Sequence, residues 1–161
     1  MNSAHNNIEI ERKFLVDAEK WQQADKPGGV LYRQGYLMSE NNCTIRVRVA
    51  GEKAFMTIKG ASSGISRAEY EYEIPVADAT EMLDNLVASE ISKTRYAINF
   101  ENKLWEVDVF LGDNAGLIVA EIELQSENEA FTKPTWITEE VSGDLRYYNS
   151  KLSVDPYKNW K

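Results

Sequence analysis

Apolar and polar positions alternate with a period of two along most of the chain. Turn chemistry separates the alternating stretches at Pro27-Gly28-Gly29, Asn41-Asn42, Gly51-Glu52, 60–64, 99–102 and 112–116. Eight strands are predicted, near 8–15, 30–38, 43–50, 53–59, 66–74, 92–99, 103–111 and 117–125. Their hairpin spacing implies a mostly antiparallel sheet. One helix interrupts them: Asp78 is placed to cap it, Glu81 completes a capping box, and Met82, Leu83, Leu86 and Val87 form one apolar stripe that would cover sheet. Beyond Ser126, with Pro134, Trp136, Ile137 and Val141, the pattern breaks into short helices and loops. Without a repeat or linker, the chain reads as one domain over 1–161, with a core over about 8–125 and a C-terminal helical segment over about 126–161.

Sorting each strand by parity exposes a second regularity. Glu9, Glu11 and Lys13 oppose Ile8, Ile10 and Phe14; Thr44, Arg46 and Arg48 oppose Ile45, Val47 and Val49; Lys59 opposes Met56 and Ile58. Further on, Lys93 and Arg95 oppose Tyr96 and Ile98, Glu106 and Asp108 oppose Trp105, Val107 and Val109, and Glu121 and Glu123 oppose Ile122 and Leu124. Alternation alone is the ordinary signature of a sheet with one wet face. These polar positions, however, are dominated by charged residues, and the signs are segregated by strand.

Eight strands suffice to close a barrel with a ligand-sized interior. On closure the ionic face should point inward, because the helix stripe can cover the apolar one. Like charges so confined repel by several kcal/mol, so the lumen needs an anion for its cations and a metal for its carboxylates.

Composition narrows the chemistry. The chain has 161 residues, 43% hydrophobic and 27% charged, the balance of a globular domain. No apolar run reaches the roughly 20 residues of a spanning helix and the N-terminus has no signal-peptide core, so a cytoplasmic protein that does not cross a membrane is expected. A net charge of −8 argues against a nucleic-acid-binding surface. Cys43, the only cysteine, excludes an intrachain disulfide, and His5, the only histidine, is read as incidental.

Two Glu-x-Glu pairs, Glu9 with Glu11 and Glu121 with Glu123, offer hard oxygen donors that suit Mg²⁺ or Mn²⁺. Arg46 and Arg48 supply planar forks and Lys13, Lys59 and Lys93 point charges, the equipment for several phosphates at once. A P-loop and a Ser/His/Asp arrangement are both missing, so catalysis would rest on positioning and charge stabilisation. Tyr36 and Lys93 share the lumen parity, and a lysine beside a phenol lowers the phenol's pKa. A role for this pair as acid, base or water positioner is therefore expected.

The segment "IEIERKFLV" resembles the opening signature of the CYTH, or triphosphate tunnel metalloenzyme, superfamily. The likeness continues in order through "RQGYL", "TIRVR", "TIKG", "SRAEYEYEIP", "KTRY", "WEVDVF" and "GLIVAEIEL", and "VSGDLRYYNSKL" is similar to the C-terminal segment of short bacterial members. The resemblance implies an eight-stranded antiparallel tunnel, a divalent metal and a triphosphate substrate. It implies Glu9, Glu11, Glu121 and Glu123 as metal ligands, Glu106 and Asp108 as helpers for a second ion or its waters, and Lys13, Arg46, Arg48, Lys59 and Arg95 as phosphate grips.

The activity expected first is inorganic triphosphatase, since little chain remains to build a base-recognition pocket. A class IV-type adenylyl cyclase, or a binding module for polyphosphate or nucleotide triphosphates without turnover, are the alternatives. Glu69, Glu71 and Glu73 read as charge balance for Arg67 and neighbouring arginines. Tyr70, Tyr72, Tyr96, Trp105 and Val107 face outward in excess of what one helix covers, which predicts a homodimer. A basic residue of the C-terminal segment, Arg146, Lys151 or Lys158, is a candidate to close the tunnel.

Overall fold

The computed structural model describes residues 7–160, and His5 lies outside the described residues. Nine strands carry the fold: β1 (Ile8–Val16), β2 (Val30–Glu40), β3 (Cys43–Ala50), β4 (Lys53–Gly60), β5 (Ser66–Ile74), β6 (Ser89–Phe100), β7 (Lys103–Phe110), β8 (Ile118–Glu123) and β9 (Ile137–Glu140). They are ordered β5-β4-β3-β2-β6-β7-β8-β1-β9, and a further β1–β5 pairing closes the first eight into an antiparallel barrel. The mainly β class and the closed eight-stranded tunnel are thus as the alternation predicts.

β1 changes neighbour part-way. Ile8 and Ile10 pair with Ala68 and Ser66 of β5, whereas Phe14 and Val16 pair with Glu140 and Ile137 of β9. Its other edge runs along β8, with Glu11 opposite Glu123 and Lys13 opposite Glu121. The β6–β7 hairpin turns on Glu101 and Asn102, both at positive φ (49° and 63°), as a two-residue turn matched to strand twist requires.

The apolar core lies outside the barrel. On one side α1 (Ala18–Gln23) and the segment around Phe131 and Trp136 cover Phe14, Trp105, Val107 and Ile122. Trp136 meets Trp21 and Trp105 edge-on at 5.2 and 6.1 Å between ring centres, and Phe14 lies 5.6 Å from Trp105. A second cluster gathers Ile91, Phe110, Val119, Val141, Tyr147 and Leu152, and a third packs α2 (Val76–Asn85) through Ala79 and Leu83 onto Val47 and Ala54. Gly35 admits this helix end: a Cβ there would stand 2.8 Å from Val87 and 3.0 Å from Leu83.

Several elements differ from expectation. α2 starts at Val76 after Pro75, with no side-chain cap, so Asp78 sits within the first turn instead of capping it. Pro75 presets the extended backbone that precedes a helix, which moves the cap from position 78 to 75, three residues earlier. Leu86 is the C-cap of α2 and is 64% exposed, so Ala79 and Leu83 carry the buried stripe. Trp105 and Val107 are fully buried by α1 and the C-terminal segment, leaving Tyr70 and Tyr72 exposed on the outer face of β5. Among the described residues no helix is long and apolar enough to cross a membrane.

Candidate active site

The tunnel encloses a cavity of about 350 Å³ whose two walls carry opposite chemistry. Alternation places them there, because the apolar half of each strand is committed to the outer clusters.

The carboxylate wall is built by β1, β5 and β8. Glu9 accepts from Lys59 Nζ at 3.0 and 3.3 Å and lies 3.7 Å from Arg67 Nε. Burial works against its ionisation, but Lys59 and a hydrogen bond with Glu69 hold its pKa at about 2. Burial and that shared hydrogen bond push Glu69 up to about 8. Glu11 is likewise pushed up to about 8, by burial and then by the charges of Glu121 and Glu9. Glu121 is buried too, yet Lys13 at 3.6 Å and then Arg95 keep it well below the usual range. Burial, then the charges of Glu9 and Glu106, raise the carboxyl of Glu123, the more exposed end of this wall.

The cation wall comes from β2, β3, β4 and β6. Arg46 donates to Thr57 Oγ1 at 3.1 Å, while its buried Nε has no hydrogen-bond partner. Arg48 donates through Nε to Gln34 Oε1 at 3.0 Å, and Gln34 Nε2 donates to the Tyr36 hydroxyl at 3.0 Å. The Tyr32 ring supports both Arg48 and Arg95, at 4.8 and 5.1 Å. Burial, then the charges of Arg46 and Arg95, lower the Arg48 pKa to about 9. This guanidinium is crowded by its own kind, a state that an anionic ligand relieves.

Between the walls, fully buried Asp108 accepts from Arg95 at 2.7 and 2.8 Å and from Lys93 at 2.7 Å. Both oxygens are committed, so Asp108 anchors two cations from behind the cavity instead of standing free as an ion ligand. Glu106 lines the cavity and takes a third bond from Arg95 at 3.2 Å. Lys93 also donates to Asn149 Oδ1 at 2.9 Å, and burial lowers its pKa to about 7. Tyr36 and Lys93 both line the cavity, but the Tyr36 hydroxyl bonds to Gln34 and the Lys93 ammonium to Asp108 and Asn149.

Lys13, Arg46, Arg48, Lys59 and Arg95 all line the same cavity as Glu9, Glu11, Glu121 and Glu123. Among the described residues, no three acidic side chains form a ready-made cation cluster. The carboxylates are instead tied to Lys59, Lys13 and one another. Their all-oxygen donor set still fits a hard divalent ion, because burial and the charges of Glu121 and Glu9 oppose ionisation of Glu11 and a cation among them would offset that opposition.

Several lining residues were not singled out by sequence. Tyr32 shares the parity of Tyr36 and Arg67 that of Glu69, so their signal was present. Gln34 has the same parity but is fully buried as the partner of Arg48 and Tyr36 and does not line the cavity. Tyr148, Asn149 and Ser150 line the tunnel from a stretch with no period to read. They close it in place of Arg146, which pairs with Asp144, exposed Lys151, and Lys158, which pairs with Asp113. Glu71 accepts from Thr57 at 3.0 Å and lies 3.7 Å from Arg46, as charge balance should, whereas Glu69 belongs to the carboxylate wall.

A charged tunnel in an otherwise apolar-jacketed barrel defines a class, and the CYTH domain model matches residues 7–153. The chain belongs to the CYTH family. Within it, the chain is 53% identical to an inorganic triphosphatase of Acetivibrio thermocellus, over 95% of this chain and 97% of that one. It is 38% identical to an inorganic triphosphatase of Nitrosomonas europaea, over 91% and 97%. A crystal structure of an inorganic triphosphatase superposes with a TM-score of 0.62 at 35% identity, covering 91% of this chain and 97% of that chain.

Proposed function

We propose that this protein is a divalent-metal-dependent inorganic triphosphatase that adds water across one phosphoanhydride bond of tripolyphosphate and releases pyrophosphate and orthophosphate. The observation that carries this reading is the opposition of two walls in one cavity, Arg46, Arg48, Lys59 and Arg95 on one side and Glu9, Glu11, Glu121 and Glu123 on the other. Burial and then neighbouring cations depress Arg48, while burial and then neighbouring carboxylates raise Glu11. A linked polyanion with a hard cation satisfies both at once. The relatives that match almost end to end carry the same activity in their names.

Arg46, Arg48, Lys59, Lys13 and Arg95 grip the phosphate chain, with Arg46 Nε offering a donor that lacks a protein partner. Glu9, Glu11, Glu121 and Glu123 hold Mg²⁺ or Mn²⁺, with Glu106 beside them. Such an ion, when bound, neutralises phosphate oxygens and acidifies its water. Tyr36 and Lys93 face the reacting phosphate and orient the attacking water or the leaving oxygen. Asp108 holds Lys93 and Arg95 in place for this work.

The same reading makes the protein a cytoplasmic homodimer whose contact uses Tyr70 and Tyr72, respectively 41% and 57% exposed on β5. Sedimentation should then give twice the chain mass, and Tyr72→Glu should reduce it to the monomer.

The deciding experiment is a phosphate-release panel of tripolyphosphate, ATP, thiamine triphosphate and pyrophosphate with Mg²⁺, Mn²⁺ or Ca²⁺, monitoring cyclic AMP. Tripolyphosphate should be the preferred substrate and cyclic AMP should not form. Cyclic AMP from ATP would establish a cyclase instead, and tight tripolyphosphate binding without release a binding module.

A further inference from the structure

The step Tyr148-Asn149-Ser150 is the part of the C-terminal segment that reaches the tunnel lining among the described residues. Asn149 opens α3 (Asn149–Leu152), a single helical turn that is firmly held. Leu152 is fully buried, and its carbonyl accepts from Asn114 Nδ2 at 3.3 Å. Ser153 Oγ lies 2.8 Å from Ser89 Oγ, and Asn114 Oδ1 accepts from the Tyr157 amide at 2.8 Å. Tyr147 packs edge-on against Trp160 at 5.1 Å. The turn is therefore built to place one side chain accurately.

That side chain meets Lys93. An ammonium carries three N–H bonds set around its bond to Cε and rotates only about that bond, so a second acceptor locks the rotation that a first one favours. Here Asp108 Oδ2 takes one at 2.7 Å and Asn149 Oδ1 a second at 2.9 Å. Two of the three N–H bonds are thereby taken and the rotation is locked, which leaves one donor on a lysine that lines the cavity. The choice of amide matters as well. Asp108 is already shared with Arg95, and a second carboxylate facing the lumen would repel incoming phosphates. An amide oxygen gives the same acceptor without the charge.

We infer that Asn149 is a positioning residue that aims the remaining N–H of Lys93 at the reacting phosphate. This rests on the triphosphatase reading. It adds to the lysine a partner supplied from outside the barrel strands.

The test is steady-state tripolyphosphate hydrolysis with Mg²⁺ by the wild-type chain, Asn149→Ala and Asn149→Asp, with thermal unfolding of each. Asn149→Ala should lower kcat about tenfold, the size of one charge-assisted hydrogen bond, with KM within about twofold of wild type. Asn149→Asp, which keeps the acceptor, should restore kcat to within about threefold of wild type but raise KM by about fivefold or more through repulsion of the substrate. A merely structural residue would not divide the two parameters in this way. Unchanged kinetics in Asn149→Ala, or equal kcat losses in both variants that track their Tm, would overturn the inference. If Asn149→Ala does not fold, Asn149→Ser with the Asp variant carries the same comparison. A wild-type chain that releases no phosphate from tripolyphosphate defeats the triphosphatase reading, a result distinct from a wild-type enzyme indifferent to position 149.

Discussion

Asp108 shows how one buried carboxylate can organise a cationic wall. It lies between Lys93 and Arg95, both in hydrogen-bond contact, and Asp108 and Lys93 are themselves fully buried. Asp108→Ala should destabilise the protein by about 3–5 kcal/mol, measured by urea unfolding, because buried Lys93 would lose its counter-charge and Arg95 would keep only Glu106 and Glu121. Gln34→Leu should cost about 1–3 kcal/mol in the same measurement, since Arg48 Nε loses its acceptor and the Tyr36 hydroxyl its donor. Charged site residues were legible because period two carries them to one face, and Glu9, Arg46 and Lys59 needed only their parity. Gln34 carried the same parity but no charge to draw notice. The depth of Asp108 could not be read at all: its parity matches that of Glu106, and only the packed barrel shows that one lines the cavity while the other is sealed behind it.

At the scale of elements, legibility followed length. Strands of eight to twelve residues such as β2, β4 and β6 repeat their pattern often enough to be recognised. The six residues of α1 include one buried apolar side chain, Trp21, and the four of β9 are mostly exposed, so neither has a periodicity. These two pieces nevertheless flank the aromatic cluster that jackets β1, β7 and β8. Trp136→Ala should cost about 3–5 kcal/mol of unfolding free energy, as expected for a large buried aromatic. Gly35→Ala tests the helix side: the added methyl would strike Val87, Leu83 and the Ser89 carbonyl, and overpacking of this kind costs about 1–3 kcal/mol. The same replacement at Gly28, where nothing lies within 4 Å, should leave the unfolding midpoint almost unchanged.

For the whole molecule, the separation of an apolar jacket from an ionic lumen means that folding and chemistry draw on different halves of each strand. Chelating the divalent ion should therefore stop phosphate release while the far-UV circular dichroism spectrum stays that of the folded barrel. Restoring Mg²⁺ with tripolyphosphate at about 100 times its Kd should add about 2.7 kcal/mol of stability, read as a rise in Tm. The divided pairing of β1 has a kinetic consequence. Its partners are β5, β8 and β9, so this strand finds its neighbours at residues 66–68, 119–123 and 137–140. Contacts so distant along the chain form slowly. Glu9 and Glu11 thus wait for residues more than 100 positions away before they face Glu121 and Glu123, and a nascent chain interrupted before β8 has half of the carboxylate wall and an open barrel.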